Sequence, residues 1–201
     1  LKITPHIWFD TQAEEAAHFY ISLFKNSKIG QIVRYGKAVS EVAGQPEGTV
    51  LTVEFELDGL SFVGLNGGPI FKPSPALSFF ATFTDETELD TLFEKLSEGG
   101  EVLMPLQKYD FAEKYAWIND KFGVSWQLML VTETDKKPIV PAIMFVQERC
   151  GNAEPAINYY TSLFPDSKIE SFPYGECFTA NVTGREIKFF HSGWGKIASA
   201  G

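Results

Sequence analysis

The sequence predicts an α+β fold assembled from β-α-β-β-β units. Three observations predict it: an internal repeat, alternating strands beside amphipathic helices, and turn residues where a hairpin needs them. The repeat carries most weight. Ile3-Thr4-Pro5-His6-Ile7-Trp8-Phe9 reads against Ile139-Val140-Pro141-Ala142-Ile143-Met144-Phe145. Ala13-Glu14-Glu15-Ala16 through Phe24 then reads against Ala153-Glu154-Pro155-Ala156 through Phe164, and Ser27-Lys28-Ile29 against Ser167-Lys168-Ile169. Tyr35-Gly36 matches Tyr174-Gly175. The additional residues of the later copy, Gln147 to Gly151, fall between strand and helix, where an insertion costs little.

Each element has a physical reason. In the first strand Ile3, Pro5, Ile7 and Phe9 share one face, with Thr4, His6 and Trp8 on the other. Thr11 with Glu14 forms a capping box for a helix whose Ala13, Ala16, Ala17, Tyr20, Leu23 and Phe24 make a stripe that must pack on a sheet. Strands follow near 28–35, 49–58 and 60–66, with a loop over 37–49, and Asp58-Gly59 is a hairpin turn. A weaker echo begins with a strand over 77–83. Asp85 with Glu88 caps a helix bearing Leu89, Leu92, Phe93 and Leu96, which ends at Gly99-Gly100, and strands follow near 101–109, 114–119 and 124–130. The order is again β-α-β-β-β. In the later copy Asn152 is the cap and Pro155 falls in the first turn, where proline is tolerated; Gly184 takes the place of the hairpin glycine, between strands near 177–183 and 186–191. The expected organisation is a complete domain over 1–130, made of units at about 3–68 and 77–130. A linker over 131–138 and a partial second domain over 139–201 complete it.

A net charge of −9 repels phosphate backbones and anionic lipid, so neither nucleic acid nor membrane is an expected partner. No run approaches the ~18–20 apolar residues of a membrane span, and Leu1 to Pro5 reads as no signal peptide. Cys150 and Cys177 lack metal-ligand spacing and read as free thiols, so the expected location is the cytoplasm. The 18 Phe, 7 Tyr and 4 Trp serve either a thick aromatic core, the preferred reading, or an aromatic-lined cleft.

Several motifs carry a resemblance: Trp8-Phe9-Asp10 before Ala13-Glu14-Glu15-Ala16 and Phe19-Tyr20; Leu65-Asn66-Gly67-Gly68-Pro69; and Asp120-Lys121-Phe122-Gly123-Val124-Ser125-Trp126-Gln127-Leu128. On these the chain resembles the PhnB-like branch of the vicinal oxygen chelate superfamily, which holds the glyoxalase, bleomycin-resistance and extradiol-dioxygenase proteins. Many members of the branch are labelled 3-demethylubiquinone-9 3-methyltransferase-like. The resemblance implies tandem modules pairing into a curved mixed sheet around a pocket, helices outside, and often a homodimer. It also implies that a divalent metal, where an enzyme of the superfamily holds one, is met by positions falling at Gln127, near Asn66, near Ser78 and close to His6. One histidine with neutral Asn, Ser and Gln is a poor cage, so no metal is expected with confidence and His6 is only a weak candidate ligand.

His6 shares its strand face with Trp8, and a satisfied, half-buried histidine is the blander alternative for it. His18 reads as exposed on its helix, and His191 aligns with Asn66 across the repeat. Ser125 and Gln127 lie opposite Val124, Trp126 and Leu128, so they face either the concavity or solvent. Asp120 to Gly123 reads as a tight turn whose Asp and Gly serve the backbone. The pocket candidates are therefore His6, Trp8, Asn66, Ser78, Tyr115, Trp117, Ser125 and Gln127. Methyl transfer by a Rossmann domain is disfavoured, because Leu65 to Pro69 leads into a proline-broken segment rather than a helix. Three readings stand: a metal-independent protein binding an unidentified small molecule; a metal-assisted enzyme on a small oxygenated metabolite; and an assembly module without ligand. Whether the chain is an enzyme is left open. The unit opening at 139 has no fourth unit after it. It is expected to pair with its copy in another chain, or to belong to a sequence with parts missing, or to be a remnant.

Overall fold

The computed structural model describes residues 3–135, 139–145, 147–149, 151–171, 177–182 and 185–190. Cys150, Tyr174-Gly175, Gly184, His191 and the tail from 192 lie outside the described residues. Contacts divide the chain into two compact units. The first is Thr4–Pro73 with Lys121–Gly123; the second is Leu1–Ile3, Ser74–Asp120 and Val124–Gly201.

The first unit contains β1 (His6–Phe9), α1 (Ala13–Leu23), β2 (Lys28–Arg34), α2 (Lys37–Ala43), β3 (Val50–Leu57) and β4 (Leu60–Asn66). Its sheet has the order β1-β4-β3-β2, with β1 parallel to β4 and the other pairs antiparallel. Asp58 and Gly59 both take positive φ, 45° and 83°, as a hairpin turn matched to strand twist requires. The stripe Ala13, Ala16, Ala17 and Tyr20 is fully buried, with α1 packed on β3. Phe122, from the turn before a later strand, sets its ring 5.7 Å from Phe19 and 6.0 Å from Tyr20. Helix α2 stands where the sequence predicts a loop. It buries none of its residues, so it leaves no apolar stripe to read, and it stops at Gly44 with φ 66°.

The second unit contains β5 (Leu77–Phe83), α3 (Glu86–Ser97), β6 (Glu101–Tyr109), β7 (Ala112–Asn119), β8 (Ser125–Leu130), β9 (Val140–Met144), α4 (Ala153–Leu163), β10 (Lys168–Ser171), β11 (Cys177–Val182) and β12 (Arg185–Phe190). They form an eight-stranded sheet ordered β10-β11-β12-β9-β5-β8-β7-β6. Strand β5 runs parallel to β8 and antiparallel to β9. Residues 77–130 thus share their sheet with residues 140–190, where the resemblance pointed to sharing with residues 3–68. Asp85 caps α3 by accepting the N–H groups of Thr87 and Glu88, at 2.8 and 3.3 Å. The α3 stripe Leu89, Leu92 and Leu96 is buried, and the helix packs on β5, β6, β7 and β8. Lys114 bridges Glu86 and Asp90 of this helix, and those carboxylates hold its ammonium above the ordinary lysine range. Asn152 stands at the N-cap of α4 as expected, yet its side chain makes no capping bond. Among the described residues no helix is long and apolar enough to cross a membrane.

The start of α1 departs from the sequence reading in an instructive way. The capping box of Thr11 with Glu14 does not form; Gln12 is the N-cap and its side chain makes no capping bond. The Ala13 N–H instead donates to Asn66 Oδ1 at 2.8 Å, 53 residues away. Asn66 Nδ2 donates to the Val50 carbonyl at 3.0 Å, and the Tyr35 hydroxyl donates to the Asn66 carbonyl at 2.6 Å. One amide satisfies a helix donor and a strand carbonyl together, which a threonine hydroxyl in Thr11's place, within the chain entering the helix, does not reach. Replacing Asn66 by Ala strips both bonds from a site 5% exposed. The expected loss is about 2–3 kcal/mol, read as a lower midpoint in urea unfolding.

Candidate functional site

The second unit gathers five of the eight candidate residues on one buried face. Strands β5 and β8 lie in register, with Ser78 opposite Ser125 and Phe80 opposite Gln127. On β7, Trp117 lies opposite Gln127 and Tyr115 opposite Met129. Because side chains alternate along a strand, Ser78, Phe80, Ser125, Gln127, Tyr115 and Trp117 share a face, while Phe79, Ala81, Trp126 and Leu128 turn to the α3 side. Trp126 and Leu128 are fully buried, and the packing of α3 on both strands explains why. The polar face is buried as well: Ser78, Ser125 and Gln127 are each 1% exposed. It is not a solvated strand face.

Burial forces these groups to bond to one another. Tyr115 Oη donates to Gln127 Oε1 at 2.7 Å, and Gln127 Nε2 donates to Ser78 Oγ at 2.7 Å. Trp117 Nε1 donates to Ser125 Oγ at 2.8 Å. Phe80, Met104, Val140, Ala142 and Met144 surround them as a buried apolar cluster. At one end Tyr109 and Phe111 stack at 5.4 Å, and both approach the ring of Tyr115. Burial pushes the Tyr109 phenol above its ordinary pKa, against a smaller lowering by its hydrogen bond with Gln107. A row of neutral donors and acceptors set in an aromatic and thioether wall can orient a polar edge of a mostly apolar molecule.

The other three candidates belong to the first unit, where Trp8 and Asn66 serve its architecture. His6 is exposed on β1, not half-buried. Trp8 donates from Nε1 to the Gly68 carbonyl at 2.8 Å and meets Phe71 edge-on at 5.0 Å. Its indole occupies the space beside Gly67, where an added Cβ would stand 2.1 Å from Trp8 Cζ2. Gly68 has φ 82°, and the two glycine N–H groups donate to the carbonyls of Phe9 and Asp10. The segment Leu65 to Pro69 is thus a clasp around Trp8 and the start of α1. Asp120 also serves structure: Oδ1 accepts the Val124 N–H at 3.0 Å and Oδ2 accepts the Trp126 indole N–H at 2.9 Å.

One residue of the buried face escaped the sequence reading. Lys188 on β12 is 3% exposed, with its Nζ 4.7 Å from the centre of the Phe80 ring. Lysines are almost never fully buried, so a lysine read without its neighbours is assigned to solvent. The local sign is its place between Ile187 and Phe189. Phe189 packs with Ala153 and Ile157 of α4, which turns Lys188 to the opposite face.

The positions at which the resemblance expects metal ligands do not fit a tightly held divalent ion. The Gln127 and Asn66 oxygens already accept hydrogen bonds, Ser78 Oγ accepts from Gln127, and all are neutral. Among the described residues no three His, Cys, Asp or Glu side chains converge.

A family model described as 3-demethylubiquinone-9 3-methyltransferase matches residues 1–129. Among solved structures, the PhnB protein from Bacillus cereus is 43% identical, with 65% of this chain and 100% of that chain covered and a TM-score of 0.60. A protein from Pseudomonas aeruginosa is 20% identical over 66% of this chain and 99% of that one, at a TM-score of 0.55. A glyoxalase I mutant from Zea mays is 14% identical over 94% of this chain and 68% of that one, at 0.54. The last two are likenesses of fold. No curated protein matches the chain.

Replacing Gln127 by Leu keeps the volume and removes the amide, leaving the Tyr115 hydroxyl without its acceptor. The expected cost is about 2–4 kcal/mol in denaturant unfolding, and Tyr115→Phe with Gln127→Leu costs less than the sum of the two single changes.

Proposed function

The chain belongs to the family described as 3-demethylubiquinone-9 3-methyltransferase, PhnB-like proteins of the glyoxalase and bleomycin-resistance fold, and from that premise we propose that it binds a small organic molecule without a tightly held catalytic metal. The observation that carries the reading is the Ser78–Gln127–Tyr115 hydrogen-bonded row inside an aromatic wall. Such a row offers direction to a ligand through hydroxyl and amide groups and offers a hard cation little charge. The methyltransferase in the description is a family name. The glycine pair of this chain, Gly67 and Gly68, spends its freedom on Trp8 and leads into no helix before β5.

The second reading, a metal-assisted lyase, isomerase or oxygenase on a small oxygenated metabolite, makes the opposite forecast for metal content. Protein prepared without chelator and analysed for elements is expected to carry well under one equivalent of divalent ion. Mass spectrometry under non-denaturing conditions is expected to find an organic molecule retained from the host. A stoichiometric ion that is lost in Gln127→Leu favours the enzyme reading instead.

The proposal includes residence in the cytoplasm, supported by the reading of Cys150 and Cys177 as free thiols, and association as a homodimer. Support for association comes from the outer strands of the two sheets, β1 and β2 in one and β6 and β10 in the other, which have a single strand neighbour among the described residues. Sedimentation equilibrium is expected to give a mass near twice the 22.4 kDa of the chain, and the monomer mass at all loading concentrations removes this part of the proposal.

A further inference from the structure

Two separate structural demands place Asn66 beside Gly67. An asparagine serves at 66 because its amide both accepts from the Ala13 N–H and donates to the Val50 carbonyl. Glycine serves at 67 because the Trp8 indole fills the space that a Cβ would take. The result is a chemically labile pair, since no side chain on glycine shields its nitrogen from the neighbouring amide carbon. The sequence has six asparagines, and only Asn66 is followed by glycine. In the folded chain both reacting groups are engaged elsewhere. The Gly67 N–H donates to the Phe9 carbonyl at 3.0 Å, and the Asn66 amide is bonded at its oxygen and its nitrogen. The Tyr35 hydroxyl holds the Asn66 carbonyl at 2.6 Å, and both residues are buried.

We propose that Asn66–Gly67 is a deamidation site that the fold keeps closed and that local opening at the end of β4 releases. In the opened chain the Gly67 nitrogen attacks Asn66 Cγ. The N–Cγ bond forms, the Cγ–Nδ2 bond breaks, and Nδ2 leaves as ammonia with the proton from the glycine nitrogen. Water then opens the cyclic imide at either carbonyl, giving aspartate or, with one more carbon in the main chain, isoaspartate. Neither product rebuilds the site. Ionised aspartate has no N–H for the Val50 carbonyl. Isoaspartate displaces Gly67 and Gly68, whose N–H groups hold the Phe9 and Asp10 carbonyls, and with them the Gly68 carbonyl that holds Trp8. A reversible opening thereby becomes irreversible. Deamidation is slow beside the opening and closing of a strand end, so its rate in the folded chain follows the fraction open.

The test holds the full chain at mildly alkaline pH, in buffer and in urea, and follows each asparagine by peptide mass spectrometry. In urea Asn66 is expected to convert ahead of the other asparagines, and in buffer at least about tenfold more slowly than in urea. Tyr35→Phe removes one hydrogen bond from the closed site and leaves the reacting pair untouched. It is expected to speed conversion about fivefold in buffer and to leave the rate in urea unchanged. If Tyr35→Phe does not fold, the wild type below its unfolding midpoint takes its place, with a rate expected to climb with urea. Converted chain, separated by its added negative charge, is expected to unfold at a lower urea midpoint. Equal rates in buffer and urea overturn the proposal, as does an Asn66 with no lead over the other asparagines in urea. A folded Tyr35→Phe that converts at the wild-type rate, or a wild-type rate that does not climb with urea, overturns the gating by local opening. An unchanged midpoint in the converted chain overturns the irreversible step.

Discussion

A strand with neighbours along both edges has every backbone donor and acceptor committed, and both of its faces must then be covered by something other than water. Strand β5 is in that position, between parallel β8 and antiparallel β9. Its second, third, fourth and fifth residues are all buried. From this constraint the second unit follows. The face of Phe79 and Ala81 takes the apolar stripe of α3, and the face of Ser78 and Phe80 has to be filled from the neighbouring strands. Ala142 and Val140 come from β9, Ser125 and Gln127 from β8, and Lys188 from one strand further out. The same ladder that completes the sheet assembles the polar row.

The polar row survives burial because its members satisfy each other. A glutamine has an acceptor and two donors, and Gln127 uses the first for Tyr115 and one of the others for Ser78. A glutamate at that place would need a counter-charge, and an apolar residue would remove the acceptor at Gln127 Oε1. The row is therefore neutral, and Lys188 reaches the same face from another strand, over the Phe80 ring. Asp120, the buried carboxylate near the start of β8, is held by the Val124 amide and the Trp126 indole, and Trp126 turns to the α3 side.

How much of this was legible in the sequence depends on distance along the chain. Strand and helix positions were readable because apolar period is a local property: the α1 stripe, the Asp58-Gly59 turn and the Asp85 cap all lie within a few residues of what they explain. Helix α2 was not, since it buries nothing. The true partner of the α1 start, Asn66, lies 53 residues away and was displaced in the reading by the nearer Thr11 with Glu14. The choice of β9 as neighbour for β5 was illegible for a related reason. Several segments of the chain have the same order of elements and similar apolar edges, and nothing local states which edge meets which. At the site, alternation alone separated Ser125 and Gln127 from Trp126 and Leu128. Their burial and their bonding partners required the ladder.

Asn66 and Gln127 present a final contrast that bears on how such amides should be weighed. Each stands on the last strand of a β-α-β-β-β run, each is almost fully buried, and each has its oxygen and nitrogen bonded. Asn66 bonds to backbone, an amide of α1 and a carbonyl of β3, so moving it would unseat two elements. Gln127 bonds to side chains, a hydroxyl on each neighbouring strand, and those hydroxyls can rotate and exchange partners without any change in the main chain. An exchange of partner at Ser78 would replace one side-chain hydrogen bond by another. At Asn66 the same exchange would leave a helix terminus bare. The identity of the bonding partners, backbone in one case and rotatable hydroxyl in the other, is what separates an amide that ties two elements together from one whose bonds stay among side chains.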